Sequence, residues 1–244
     1  MIDDEAIRER AATLSVPESQ IRRDHVLSHL IHSLEGGSGF VFIGGTALNR
    51  TFLQDLRLSE DIDLYVLDGD RELILNQLLR GVRLEYPDLQ SSGTGSVNDV
   101  HTFRLQDGPI QVRVQMIRNR PSWETLPTTV SGVRLYYADL PETAHLATPT
   151  CESLVAMKLN AWVDRSAPRD LFDLWKLTLL GCFNPESLEL VTTMLARRLQ
   201  RQEFHSPPSL AEWTAELSHQ TSDPGSPEVA LSQLAEHLAD LGAW

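Results

Sequence analysis

The stretch Phe40-Val41-Phe42-Ile43-Gly44-Gly45-Thr46 constrains this chain more than any other. Four apolar residues rich in β-formers, stopping at a Gly pair, predict a buried strand that ends in a sharp turn. Two glycines let the backbone turn tightly and come close to a ligand. Thr46 then caps a helix over 47–53, and the free N–H groups at such a helix start suit a phosphate. A second strand is predicted over Asp61-Ile62-Asp63-Leu64-Tyr65-Val66. Alternation along a strand points Asp61 and Asp63 the same way, with Ile62 and Leu64 on the other face. Two adjacent carboxylates repel each other unless a cation sits between them, and hard oxygen donors suit Mg²⁺ or Mn²⁺. The plain alternative is a tight turn followed by solvated aspartates on an edge strand.

Composition narrows the class. The 244 residues suffice for one large domain or two small ones. Hydrophobic residues at 41% and charged residues at 23% are ordinary for a soluble globular protein. No stretch is long and apolar enough to span a membrane, and the acidic start Met1-Ile2-Asp3-Asp4-Glu5 lacks the form of a signal peptide. Cys151 and Cys182 make no metal-ligand pattern and are expected as free thiols in a reducing cytoplasm. The eight histidines show no zinc-like spacing. The net charge of −13 argues against a broad electrostatic grip on nucleic acid. Its distribution softens that objection. No Lys or Arg follows Arg201, and seven of the 34 acids lie beyond it, leaving 27 acids against 21 bases and a net of −6 before that point. A local basic surface remains open.

Periodicity predicts helices over 4–14 and 18–35, the second with Arg22, Arg23 and Asp24 on its wet side. A helix is expected over 70–80 with Leu73, Ile74, Leu78 and Leu79 inward, then a Ser/Gly/Asn-rich loop over 91–100. Residues 101–105 and 111–117 alternate as a hairpin around Asp107-Gly108-Pro109. The second of these strands presents Gln111, Arg113 and Gln115 on one face and no acid. Arg113 and Arg118 are candidates for phosphate contact, against simple solvation. Residues 133–137 predict one more strand within a connection over 118–148.

A helical half follows. Thr150 caps a helix to about residue 164 whose apolar stripe holds Lys158, one of two lysines beside 19 arginines. That ammonium is either placed for a purpose or stretched over apolar surface to water. Ser166-Ala167-Pro168 opens the next helix, which carries Arg169-Asp170-Leu171-Phe172-Asp173-Leu174. Asp170 and Asp173 share a face, and Arg169 reaches Asp173 at four residues. Further helices are expected over 184–202, 209–219 and 228–241.

Gly44-Gly45-Thr46-Ala47-Leu48, then Arg57-Leu58-Ser59-Glu60-Asp61-Ile62-Asp63-Leu64, then Lys158, then Arg169-Asp170-Leu171-Phe172-Asp173-Leu174 form an ordered set. It resembles the AbiEii family of nucleotidyltransferase toxins, which includes the MenT toxins and belongs to the DNA polymerase β-like superfamily. Arg23-Asp24 resembles the family's basic-Asp pair. The resemblance covers roughly residues 20–180. It implies an α+β fold: a polymerase β-like nucleotidyltransferase core of a small mixed sheet with helices over 1–148, and a helical C-terminal domain over 149–244. It implies a Mg²⁺-dependent enzyme of the cytoplasm that takes a nucleoside triphosphate as substrate. Asp61 and Asp63 hold the metal, and Gly44, Gly45, Thr46, Arg57, Ser59 and Lys158 hold the nucleotide. Lys158 grips the triphosphate, and Asp173, ahead of Asp170, supports catalysis. Ser59 matches the position of a regulatory phosphorylation in some relatives. The implied acceptor is an RNA, in particular the tRNA 3′ end, and the implied partner is an antitoxin protein. Many superfamily members place a third carboxylate on the strand corresponding to 111–117. Its lack here favours one metal ion over two. Two alternatives stay open. One is transfer to a small hydroxylated molecule such as an aminoglycoside, and the other is a catalytically degenerate binding or antitoxin protein.

Overall fold

The computed structural model describes residues 2–97 and 99–244. Helices α1 (Asp4–Leu14) and α2 (Glu18–Ser33) come first, then strand β1 (Phe40–Ile43) and helix α3 (Gly44–Thr51). Strand β2 (Asp61–Val66) and helix α4 (Arg71–Val82) follow, then β3 (Gln90–Val97), β4 (Val100–Asp107) and β5 (Ile110–Ile117). After a single helical turn, α5 (Pro121–Glu124), come strands β6 (Thr128–Arg134) and β7 (Thr143–Pro149). The remainder is helical: α6 (Cys151–Arg165), α7 (Pro168–Leu177), α8 (Pro185–Leu195), α9 (Leu210–Leu217) and α10 (Pro227–Asp240). The protein is thus α+β, with a mixed sheet. It divides into two compact units, Met1–Arg120 with Thr128–Thr148, and Pro121–Pro127 with Pro149–Trp244.

In the first unit the five strands run in the order β1-β2-β5-β4-β3. The β2–β5 pair is parallel and the others are antiparallel. All four residues of β1 are buried, and Leu105, Val112, Val114 and Met116 face the same core as Val26, Leu30 and Ile31 of α2. Helix α4 adds Ile74, Leu78, Leu79 and Val82, started by Asp70, whose side chain accepts from the Glu72 N–H. Leu73, expected inward, is 64% exposed, because the buried stripe of α4 runs one residue further on. The expected loop over 91–100 is largely strand β3, paired antiparallel with β4; Asn98 lies outside the described residues. An edge strand needs only backbone groups for its ladder, so Ser and Gly suffice there where a buried strand would need apolar side chains. The strand expected at 133–137 lies earlier, at 128–134, and pairs with β7.

The second unit is built from capped helices. Thr150 accepts from the Ser153 N–H at the start of α6, and Pro168 occupies the first turn of α7. Asn184 and Ser187 close a capping box on α8. The helix expected over 184–202 stops at Leu195, where Ala196 turns left-handed with φ 55°; Arg201–Phe204 then makes a short 3₁₀ turn. Cys151 and Cys182, expected as free thiols, are joined in a disulfide across a Cα–Cα distance of 5.5 Å. The start of α6 and the segment after α7 meet there, a proximity that two isolated cysteines 31 residues apart do not reveal. Among the described residues, no helix is long and apolar enough to cross a membrane.

Candidate active site

Strand β1 delivers the chain to Gly44, whose φ is +81°. That left-handed region is open to glycine and costly for other residues. The register pairs Ile43 with Asp63, so Gly44 lies against the Asp63 side chain. A Cβ at Gly44 would meet the Asp63 carboxylate and lie 3.0 Å from its Cβ. The first glycine therefore serves the close approach of the turn to the aspartate strand. Gly44→Ala is expected to destabilise the fold by roughly 2–3 kcal/mol, from backbone strain and the collision with Asp63 together. Urea unfolding of the purified variant measures it.

Thr46 does not cap the helix as expected. Helix α3 begins two residues earlier, at Gly44, and its N-terminal flank makes no side-chain cap hydrogen bond. The Thr46 hydroxyl instead bonds to the Asp61 carbonyl and lies 2.8 Å from Ser59 Oγ. A hydroxyl has one proton to give, so with that proton on the carbonyl, Ser59 donates to Thr46. The glycine turn is thus tied to the entry of β2, and Ser59 is engaged at that joint.

On β2, Asp61 and Asp63 are half-buried and share a face, while Ile62 and Leu64 are buried beneath them. Register opposite them on β5 are Arg113 and Gln115. Arg113 is neither solvated alone nor aimed elsewhere: its guanidinium forms an ion pair with Asp61 Oδ2. Burial acts to lower the Arg113 pKa, but the hydrogen bond and charge of Asp61, with the charges of Asp63 and Glu60, outweigh it and raise it. The β5 face opposite the two aspartates therefore carries a cation and no carboxylate. The remaining pair of carboxylates is a hard oxygen donor set that fits Mg²⁺ or Mn²⁺.

The frame behind this pair comes from α2. Arg23 reaches Glu60 at 2.6 Å, and Gln20 Nε2 donates to the same carboxylate oxygen at 2.9 Å. Asp24, expected on the wet side, is 2% exposed. It pairs with Arg50 of α3 at 2.7 Å and accepts from the Tyr137 hydroxyl at 2.8 Å. Arg50 also donates to Ser28 and to the Arg134 carbonyl, each at 2.9 Å. A buried charge is tolerated when paired and hydrogen-bonded in this way. Arg23-Asp24 thereby holds both halves of the motif, through Glu60 and Arg50, two positioning residues that sequence reasoning missed. The available signal was an acid within the apolar repeat of α2. Arg57 is 6% exposed and donates to the Leu58 carbonyl at 2.9 Å.

In the second unit, α6 and α7 bring Lys158, Asp170 and Asp173 together. Lys158 Nζ lies 3.0 Å from Asp170 Oδ1 and 2.7 Å from Asp173 Oδ2. Its side chain is 10% exposed, and those of the acids 1% and 0%. The ammonium is therefore a placed charge rather than one stretched out to water. Arg165 adds two bonds to Asp170, at 2.7 and 3.1 Å. Arg169, expected on Asp173, pairs instead with Glu216 at 3.1 Å, because α9 offers a more exposed carboxylate. Burial pushes the Asp170 carboxyl up, but Lys158 and Arg165 overcome it and hold the pKa down at about 2. A depressed carboxylate stabilises the fold above its ordinary pKa and loses that contribution as pH falls through the lowered one. Asp170 should therefore contribute about 2 kcal/mol above pH ~4, vanishing toward pH ~2. Urea unfolding of wild type and Asp170→Asn at both ends of that window tests this: the difference between them shrinks in acid.

The family described as "Nucleotidyl transferase AbiEii toxin, Type IV TA system" matches residues 25–240. Among solved structures, MenT4, a nucleotidyltransferase toxin of Mycobacterium tuberculosis, superposes with a TM-score of 0.77 at 17% identity, covering 100% of this chain and 91% of that one. A putative nucleotidyltransferase of Helicobacter pylori gives 0.60 at 15% identity, over 93% of this chain and 96% of that one. JHP933, also of H. pylori, gives 0.58 at 14% identity, covering 93% of each chain. At these identities the superpositions speak for the fold alone. A comparison with curated protein sequences finds no match. The family match spans most of the chain and takes in the glycine turn, the paired aspartates, Lys158 and Asp173: this chain belongs to the AbiEii family of nucleotidyltransferase toxins of type IV toxin–antitoxin systems.

Proposed function

We propose that the protein transfers a nucleoside monophosphate from a nucleoside triphosphate to the 3′ end of an RNA, tRNA in particular, and so blocks translation until an antitoxin protein restrains it. The observation that carries the transfer reaction is the Asp61–Asp63 pair on β2, with Gly44 packed against Asp63. Asp61 and Asp63 would hold Mg²⁺, which when bound supplies positive charge to the phosphates. The N–H groups that open α3 bind phosphate oxygens, and Thr46 and Ser59 keep that turn fixed to the aspartate strand. Arg113 gives up Asp61 as the substrate arrives and carries its charge to the phosphates. The family resemblance gives Lys158 the role of a second cation for the leaving pyrophosphate, and Asp170 and Asp173 hold its ammonium. Asp173 stands as the acid that orients it. A phosphate placed on Ser59 would break the joint to Thr46 and set negative charge beside Asp61, which is a simple route to inhibition.

The RNA acceptor rests on the family resemblance. Expression in a bacterial host separates it from transfer to an aminoglycoside and from an inert binding protein. The toxin reading expects growth arrest by the wild-type chain and normal growth with Asp61→Ala. Drug resistance without arrest would support the small-molecule acceptor, and neither effect would support the degenerate binder.

A further inference from the structure

We infer that His25, His29 and Asp139 form a binding site for one divalent first-row metal ion of the zinc class, separate from the β2 aspartates. His25 and His29 are four residues apart on α2 and present to one side, with ring centroids 4.6 Å apart. Asp139, in the turn between β6 and β7, brings its carboxylate to both imidazoles. His25 Nε2 lies 3.0 Å from Asp139 Oδ2, and His29 Nε2 lies 3.2 Å from the same oxygen. One donor atom from each residue lies within 4.8 Å of the other two. Bonds of ~2.0–2.1 Å in a tetrahedral site place ligand atoms roughly 3.3 Å apart, so two of the three edges are already close to that spacing.

The surroundings complete the chemistry. Two imidazoles and a carboxylate are a known class of donor set for zinc, with a fourth position left for water. The His25 ring is fixed from behind: its Nδ1 is hydrogen-bonded to the Tyr86 hydroxyl. Ligating histidines take such an outer partner, which sets the tautomer and aims the metal-facing nitrogen. With protons in place of metal, both Nε2–H groups donate to Asp139. Binding shifts both protons from Nε2 to Nδ1, that of His25 being donated to Tyr86, and frees both Nε2 lone pairs for the ion. Access is one-sided. His25 is fully buried and the His29 side chain is 11% exposed, while Asp139 is 30% exposed and lines a cavity of about 550 Å³ shared with Arg10 and Tyr137.

The site would tie α2 to the β6–β7 turn, one residue from Asp24, which holds Arg50 and Tyr137. The ion would therefore stiffen the frame of the glycine turn. The expectation of no zinc-like histidine spacing is corrected here: His25 and His29 at four residues on one helix face are such a spacing, and only the third donor, 110 residues further along, lies beyond a local reading.

The test uses the full chain, stripped with a chelator and then freed of it. Zn²⁺ is titrated against a competing chromophoric chelator. The wild type should bind one equivalent, and its Tm should rise with zinc. His29→Ala and Asp139→Asn should each weaken binding by about 10-fold or more, and His145→Ala should not. Co²⁺ in the wild type should give the visible absorption of a tetrahedral site. No stoichiometric binding by the wild type, or unchanged affinity in both variants, overturns the inference.

Discussion

Asp61→Asn is expected to lower the rate of nucleotidyl transfer by about 100- to 1000-fold, the size of effect seen when one electrostatic contact to a developing charge is removed. The side chain keeps its shape, and Asn still accepts a hydrogen bond from Arg113. The Asp61–Arg113 pair is open to water, with Arg113 47% and Asp61 20% exposed at the side chain. Breaking its charge should therefore cost the fold no more than ~1 kcal/mol. Initial rates and unfolding curves on the same preparation separate the two effects. A large loss of activity with a small change in Tm supports a catalytic role. Equal losses of both would reassign Asp61 to the scaffold.

Lys158→Met is expected to have the largest effect on stability, about 3–5 kcal/mol. Both carboxylates around Lys158 are buried, and the substitution removes the ammonium they share. Methionine fills much of the same volume, so the loss reports charge rather than a cavity. Adding Asp173→Asn to Lys158→Met should recover part of the loss, because the unpaired negative charge goes with it. Urea midpoints of the single and double variants check this. A single-variant cost below ~1 kcal/mol would mean that water reaches the cluster and that the pair is worth no more than a surface one.

The parts of this protein that follow from local rules were readable in the chain. The turn at Gly44, the alternation that puts Asp61 beside Asp63, the Thr150 cap and Pro168 at the start of α7 depend on neighbours a few residues away. The stripe that holds Lys158 also shows in the sequence, though its partners do not. What was not readable depends on distant pairing. Asp24 looks solvated until Arg50 and Tyr137 arrive from elsewhere to neutralise and bond it. Arg113 looks free until the parallel pairing of β2 with β5 places it opposite Asp61. Strand β3 looks like a loop because Ser and Gly carry no strand signal, and only the β4 backbone makes it one. The disulfide and the His25–His29–Asp139 cluster join residues that no short window contains.

In the proposed function this chain adds a nucleotide to RNA using the aspartate pair of β2. Purified protein, Mg²⁺, total tRNA and one labelled nucleoside triphosphate at a time, with Asp61→Ala alongside, test it most directly. Label is expected in tRNA with at least one nucleotide, and none with the variant. Label transferred equally well by Asp61→Ala, or no label in tRNA with any nucleotide, would contradict it.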